Sequence, residues 1–191
     1  IAAKGGGSEN KAKCTILNPS DSLVDWVLKT VPTMGAGWCP PGMLGIGIGG
    51  TAEKAMVMAK ESLMDAIDIQ ALIERGPETE AERLRIELYE KVNQLGIGAQ
   101  GLGGLTTVLD VKINDYPTHA ASLPVAIIPN CAATRHSHFT LDGERGAVQA
   151  RQPHDPEVDA PQGRSLLHHE PRRQHRRVPE QVQDRGRERR N

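Results

Sequence analysis

The chain has only three cysteines in 191 residues, at positions 14, 39 and 131. Spacing this wide excludes a disulfide framework, and the lack of any C-x-x-C pair excludes a zinc ribbon or a ferredoxin-type run of cluster ligands. No apolar run in these residues reaches the ~18 of a membrane-spanning helix, and none of them reads as a secretory signal. A cytoplasmic, reducing location with no membrane partner is the expectation. Charge of one sign is lacking as well. The first 140 residues hold 12 basic and 15 acidic side chains and the remainder 11 and 9, so neither stretch has the one-sided charge that a nucleic-acid partner would call for. An initiator methionine is missing, and the opening IAAKGGGSENK reads as a start inside a longer protein.

A second kind of absence begins at Leu141. Beyond Thr140 the chain contains no Lys, Cys, Met, Ile, Trp, Tyr or Phe, whereas Arg, Pro, Gln and His accumulate, as in LLHHEPRRQHRRVPEQVQDRGRERRN. No apolar period of 3.6 or 2 residues runs through this stretch, a composition that a solvated, disordered tail would share. The joint change of residue types is better matched by a GC-rich gene translated out of frame. Two regions are therefore expected: an α/β domain over residues 1–140, and a disordered or non-native tail over residues 141–191. Resequencing through the Thr140 codon tests the second.

Within the first region, helical and strand periods alternate, which is the pattern of an α/β fold. NPSDSLVDWVLKTVP predicts a helix capped by Ser20 or Asp21, with Leu23, Val24, Val27, Leu28 and Val31 on one face and Pro32 as its stop. MLGIGIGG reads as a short buried strand, followed by a helix capped by Thr51. Pro77 is expected to open a longer amphipathic helix with Leu84, Leu88, Val92 and Leu95 inward and Gly96 as its end. LTTVLDVKIND and SLPVAIIP predict two further strands. AKGGGSENKAK reads as a glycine-rich loop, and Cys14 as an ordinary thiol in a polar run.

Two glycine strings match G-x-G-x-x-G: Gly45 to Gly50, between a strand and a helix, and Gly96 to Gly101. The dinucleotide reading needs an acid ending a second strand ~20 residues on. Asp65 and Asp68 instead close a helical pattern, and the second string runs into a strand with no helix between. Close backbone packing, or amides cradling a small anion, are the competing roles for these glycines.

Cys39 stands in GAGWCPPG and Cys131 in IPNCAATRH, each on a loop after regular structure. A buried cysteine is commonly a small hydrophobe, but Pro40 and Pro41 lack amide hydrogens and fix φ, which stiffens the chain after Cys39 as suits a ligand. Together with AKGGGSENK, GAGWCPPGMLGIGIGGTAEKA, LGIGAQGLGGLTTVLDVKI and YPTHAASLPVAIIPNCAATRH, these loops resemble the iron-sulfur class I fumarases, within the wider family of iron-sulfur hydro-lyases that includes tartrate dehydratases. The resemblance runs from about Ala2 to Asp142 and corresponds to the later part of the family's N-terminal, α-type domain.

The resemblance implies a 4Fe-4S cluster held by three thiolates, with one iron open to substrate. Cys39 and Cys131 are then two of its ligands, and the third belongs to an upstream motif that also carries the catalytic acid. His119 of YPTHAA corresponds to the histidine that hydrogen-bonds that acid, and Gly7 of KGGGS to a backbone contact with substrate. The activity implied is reversible hydration of fumarate to (S)-malate, with tartrate or another 2-hydroxy dicarboxylate as the alternative substrate and a homodimer as the parent assembly. The resemblance places the third ligand, the acid, and a second domain with the general base and substrate-binding cations outside the chain, so with two of three ligands the polypeptide as written is expected neither to hold a stable cluster nor to turn over. A non-catalytic anion- or nucleotide-binding module built on GIGIGG is the reading from another class.

Overall fold

The computed structural model describes residues 1–133; the tail expected over 141–191 lies outside the described residues. The elements in chain order are α1 (Gly6–Glu9), β1 (Lys13–Leu17), α2 (Leu23–Thr33), β2 (Gly42–Gly49), α3 (Ala52–Ser62), α4 (Ile69–Arg75), α5 (Glu80–Gln94), β3 (Val108–Tyr116) and β4 (Leu123–Cys131). The α/β expectation is met by a four-stranded mixed sheet of order β1-β4-β2-β3. Strand β2 runs parallel to β3, and β4 runs antiparallel to both β1 and β2.

Side-chain alternation along the strands divides the core between two faces. On one, Leu44 and Ile46 of β2 join Val125 and Ile127 of β4 beneath Val27 and Val31 of α2 and Leu88 and Val92 of α5. On the other, Met43, Ala126 and Ile128 meet Ala55, Ala59 and Leu63 of α3. Glycine at 45 and 47 is what lets α3 lie so close. A β-carbon at Gly45 would run into the carbonyl of Ala59, and one at Gly47 into that of Ala55. The space a bound phosphate would need at these two positions is filled by helix backbone, so packing is the role the fold gives them.

Local chemistry corrects several boundaries. Ser22, not Ser20 or Asp21, caps α2 by accepting from the amide of Asp25, while Asp21 accepts instead from Asn18 in the preceding turn. Pro32 sits inside the last turn of α2, where the loss of one backbone donor is tolerated, and the helix ends a residue later. Helix α5 begins at Glu80 and not at Pro77, because Thr79 and Glu82 form a reciprocal capping box. Thr51 stands at the N-cap of α3 without a side-chain capping bond. The run around Cys14 is an edge strand, β1, and the AKGGGSENK loop contains the single turn α1.

Candidate active site

Cys39 ends the segment that leads from α2 into β2. Its backbone is left-handed (φ 57°), which costs a non-glycine residue roughly 1–2 kcal/mol, and it is followed by a cis Pro40–Pro41 bond. The thiol is exposed. Gln100 is the other non-glycine residue at positive φ among the described residues, and it braces this loop: its amide donates to the Pro40 carbonyl at 2.7 Å and its side-chain Nε2 donates to the same oxygen at 3.2 Å. The second glycine string, Gly96 to Gly104, is thus the support of the Cys39 turn.

Cys131 is the last residue of β4, and the register places it opposite Gly42, the first residue of β2. Cys39, three residues before β2, and Cys131, at the end of β4, are 92 residues apart in sequence yet lie toward the same end of the sheet. A β-carbon at Gly42 would meet the Cys131 Cα at 3.0 Å, so only glycine lets the two strand ends lie together here. Cys14, on edge strand β1, takes no part. Burial pushes its thiol above the ordinary range, against a backbone hydrogen bond at Thr15.

The N-terminal segment closes over the same end. A β-carbon at Gly7 would approach the Gly37 carbonyl to 2.6 Å, so Gly7 lies directly against the loop that carries Cys39. Pairing of β1 with β4 stops at Ile127, and the Pro129 carbonyl beyond it accepts from Lys4 Nζ at 2.8 Å instead. The structure thus brings Gly7, Cys39 and Cys131 to one end of the sheet. Lys4 was not singled out by sequence, and its signal, a lysine opening a glycine triplet, is readable only once Pro129 is known to lie beyond the pairing of β1 with β4.

A sulfur-rich inorganic group fits this donor set. Cys131 ends β4 and Cys39 lies in the loop just before β2, and each is preceded by a buried side chain whose N–H has no partner: Trp38 Nε1 and Asn130 Nδ2, both on residues 1 % exposed. Unpaired buried donors are costly, and hydrogen bonds to sulfur are one way such groups are used around clusters. Among the described residues no third Cys, His, Asp or Glu joins the two thiols to complete a metal-holding group.

His119 is placed elsewhere. It lies in the connection between β3 and β4, at the end of the sheet where Gly49 pairs with Tyr116. The nine residues of β4 separate it from Cys131 by roughly 25 Å at ~3.3 Å per residue. Its Nδ1 accepts from the Ala121 amide at 3.1 Å, so a neutral ring carries its proton on Nε2 and can donate outward.

A sequence model of the family described as Fumarate hydratase (Fumerase) matches residues 1–140. The chain belongs to the fumarate hydratase family. Individual relatives within reach of this hydro-lyase family carry a related name. A protein of Methanocaldococcus jannaschii provisionally named L(+)-tartrate dehydratase subunit alpha is 46 % identical over 137 residues, covering 70 % of this chain and 46 % of the relative. The L(+)-tartrate dehydratase subunits alpha of Escherichia coli K12 and of Shigella sonnei are each 32 % identical over 143 residues, covering 73 % of this chain and 46 % of theirs. The chain spans about half the length of the curated relatives it matches. Among its described residues no helix is long and apolar enough to cross a membrane.

Proposed function

We propose that the polypeptide to which this chain belongs is a hydro-lyase acting on a small dicarboxylate, with Cys39 and Cys131 as two of three thiolate ligands of a 4Fe-4S cluster. The convergence of these two distant cysteines on one sheet end, each beside an unpartnered buried donor, is the observation that carries the reading. When bound, the cluster supplies a Lewis-acidic iron with an open position toward substrate. The chain's own residues hold and orient. The left-handed Cys39 turn, braced by Gln100, fixes one thiolate; the strand end fixes the other; and Gly7, packed on the Gly37 loop, leaves backbone in place to contact substrate. His119, donating through Nε2, aims the acid that protonates carbon; because that acid belongs beside the cluster and His119 lies at the opposite end of the sheet from Cys131, the histidine reaches the site from the second subunit of a homodimer.

Hydration of fumarate to (S)-malate is the reaction favoured by the family, and dehydration of tartrate is the second reading, favoured by the names of the relatives. The test is iron content and turnover of the whole hydro-lyase with fumarate, (S)-malate and L(+)-tartrate. Cys39→Ser and Cys131→Ser are expected to lose iron and all activity, and Cys14→Ser to keep both. Equal loss in Cys14→Ser, or iron retained in Cys39→Ser, would overturn the ligand assignment.

A further inference from the structure

The connection from α5 to β3 carries no charged side chain from Leu95 to Thr106, and its backbone is closed by its own hydrogen bonds. The Gly103 amide donates to the Ile97 carbonyl at 2.8 Å, the Gly98 amide to Thr107 Oγ1 at 3.1 Å, and the Thr107 amide to Asn93 Oδ1 at 2.7 Å. A β-carbon at Gly98 would run into the Gly103 carbonyl, so the loop is folded back on itself. What this frame presents to solvent is leucine. Leu102 is 89 % exposed and Leu105 82 %, more than any other large apolar side chain among the described residues. A loop tip is ordinarily polar, and a pair of leucines held out by an ordered backbone is an apolar surface with a use.

Position says what that use is. Gln100 of the same loop donates twice to the Pro40 carbonyl, at 2.7 and 3.2 Å, and a β-carbon at Gly101 would meet the Ala36 Cβ at 3.0 Å. Gly101 therefore lies on the turn that ends in Cys39, and Leu102 is the next residue. The turn belongs to a donor set that is short of a ligand, since among the described residues no third group joins the two thiols. More than half the length of the curated relatives has no counterpart in the residues that match this chain. A segment from that part has to come up to the Cys39 turn to complete the set, and the surface it meets there is uncharged and apolar. A second copy of this chain would cover the leucines without bringing the missing ligand.

We infer that Leu102 and Leu105 are the seat of the segment of the parent polypeptide that carries the third cluster ligand. The occupant is an apolar stretch of chain bearing a thiolate. The backbone of the seat is already fixed, so little order is lost when the segment docks, and burial of two leucines holds it against the Cys39 turn. Gln100 makes seat and turn one unit, which sets the incoming ligand relative to Cys39. That the docked segment bears a ligand rests on the hydro-lyase reading; that an apolar segment covers the leucines does not.

The test compares the 191-residue chain with the whole hydro-lyase by amide hydrogen exchange across residues 100–106 and by the rate at which iron is lost to a chelator. Exchange at Leu102 and Leu105 is expected to be ~100-fold slower in the whole protein. The double variant Leu102→Ser, Leu105→Ser should leave the thermal midpoint of the 191-residue chain unchanged, because both side chains face solvent there. In the whole protein it should lower the midpoint and speed iron loss about tenfold or more, as expected when two buried leucines are removed. Val57→Ser, at another exposed apolar position on the outer side of α3, should change neither. Equal exchange in the two forms, or a double variant that keeps its iron and its midpoint, would overturn the seat and leave the enzyme reading intact. Protection that appears in the 191-residue chain as its concentration rises would assign the leucines to a second copy and overturn the inference as well. Protection confined to the whole protein, in a preparation that holds no iron and turns over no diacid, would keep the docking surface and overturn the ligand it is said to bring.

Discussion

At the scale of single residues, the buried charges of β3 show how a polar group is kept inside an α/β core. Asp110 and Lys112, two positions apart and so on one face, have side chains 0 % and 4 % exposed and pair at 3.1 Å. Arg85 of α5 reaches Asp110 at 3.2 Å, the Asp68 amide donates to Asp110 at 2.9 Å, and Lys112 also meets the Asp68 carboxylate and the Ala66 carbonyl. Two acids and two bases close on one another, tying the start of α4 to β3. Lys112→Met would leave Asp110 with Arg85 and one amide, at an expected cost of about 2–3 kcal/mol in urea unfolding. Burial raises the Asp68 pKa, but hydrogen bonds and charge from Lys112 and Arg85 outweigh it and hold the carboxyl below its ordinary value. Because the folded-state pKa is depressed, that stability is present above the ordinary carboxylate range and is lost as pH falls through the folded value. The acid limb of a stability–pH curve should therefore flatten in Lys112→Met. Charges at 110 and 112 in an otherwise apolar strand run were visible in the sequence. Their partners were not, since 42 to 44 residues separate them from Asp68 and the packing of α4 decides the pairing. Cys39 and Cys131 stood out in the sequence because rigid prolines follow the one and a long motif surrounds the other, and the fold places both toward one end of the sheet.

At the scale of elements, legibility followed length and burial. Strands β2, β3 and β4 and helices α2, α3 and α5 have enough apolar period to announce themselves, as Leu88 and Val92 do on α5. The missed pieces are short. The five residues of β1, Lys13–Leu17, alternate only weakly and become a strand because β4 offers a partner. The seven residues of α4 bury only Ile69 and Leu72. The most demanding element contact is α3 on the glycines of β2, and Gly47→Ala tests it. The added methyl meets backbone, which cannot rotate away as a flexible side chain would, so a loss of about 3 kcal/mol is expected. Gly76→Ala is the comparison: φ is +85° there with no atom within 4 Å of the new carbon, so only backbone strain of about 1 kcal/mol should appear. Equal losses at the two sites would mean that helix approach does not set the requirement for glycine at 47.

At the scale of the whole molecule, sequence proximity misleads. His119 and Cys131 are twelve residues apart and stand at opposite ends of the sheet, since extended chain turns a short interval into a long distance. On the proposed reading, a homodimer can supply His119 to a site built on the other copy. Inactive His119→Ala and Cys131→Ala forms of the complete hydro-lyase, co-assembled, should then regain about a quarter of wild-type turnover, because half the dimers are mixed and each mixed dimer holds one intact site. A mixture that stays inactive would place His119 and the cluster in the same copy or remove the histidine from the chemistry.

The strand order carries a further consequence for how the protein is made. Strand β4 lies between β1 and β2 in space yet is the last of the four to be synthesised, so β1 waits through more than a hundred residues for its only neighbour. Until residues 123–131 leave the ribosome, β2 has a partner on one edge alone and β1 has none, and the loop that must close to join them is among the longest the described chain allows. Folding of the sheet is therefore a late and non-local event, slow by comparison with the helices, and a nascent chain halted before Leu123 exposes two strand edges open to pairing with other chains.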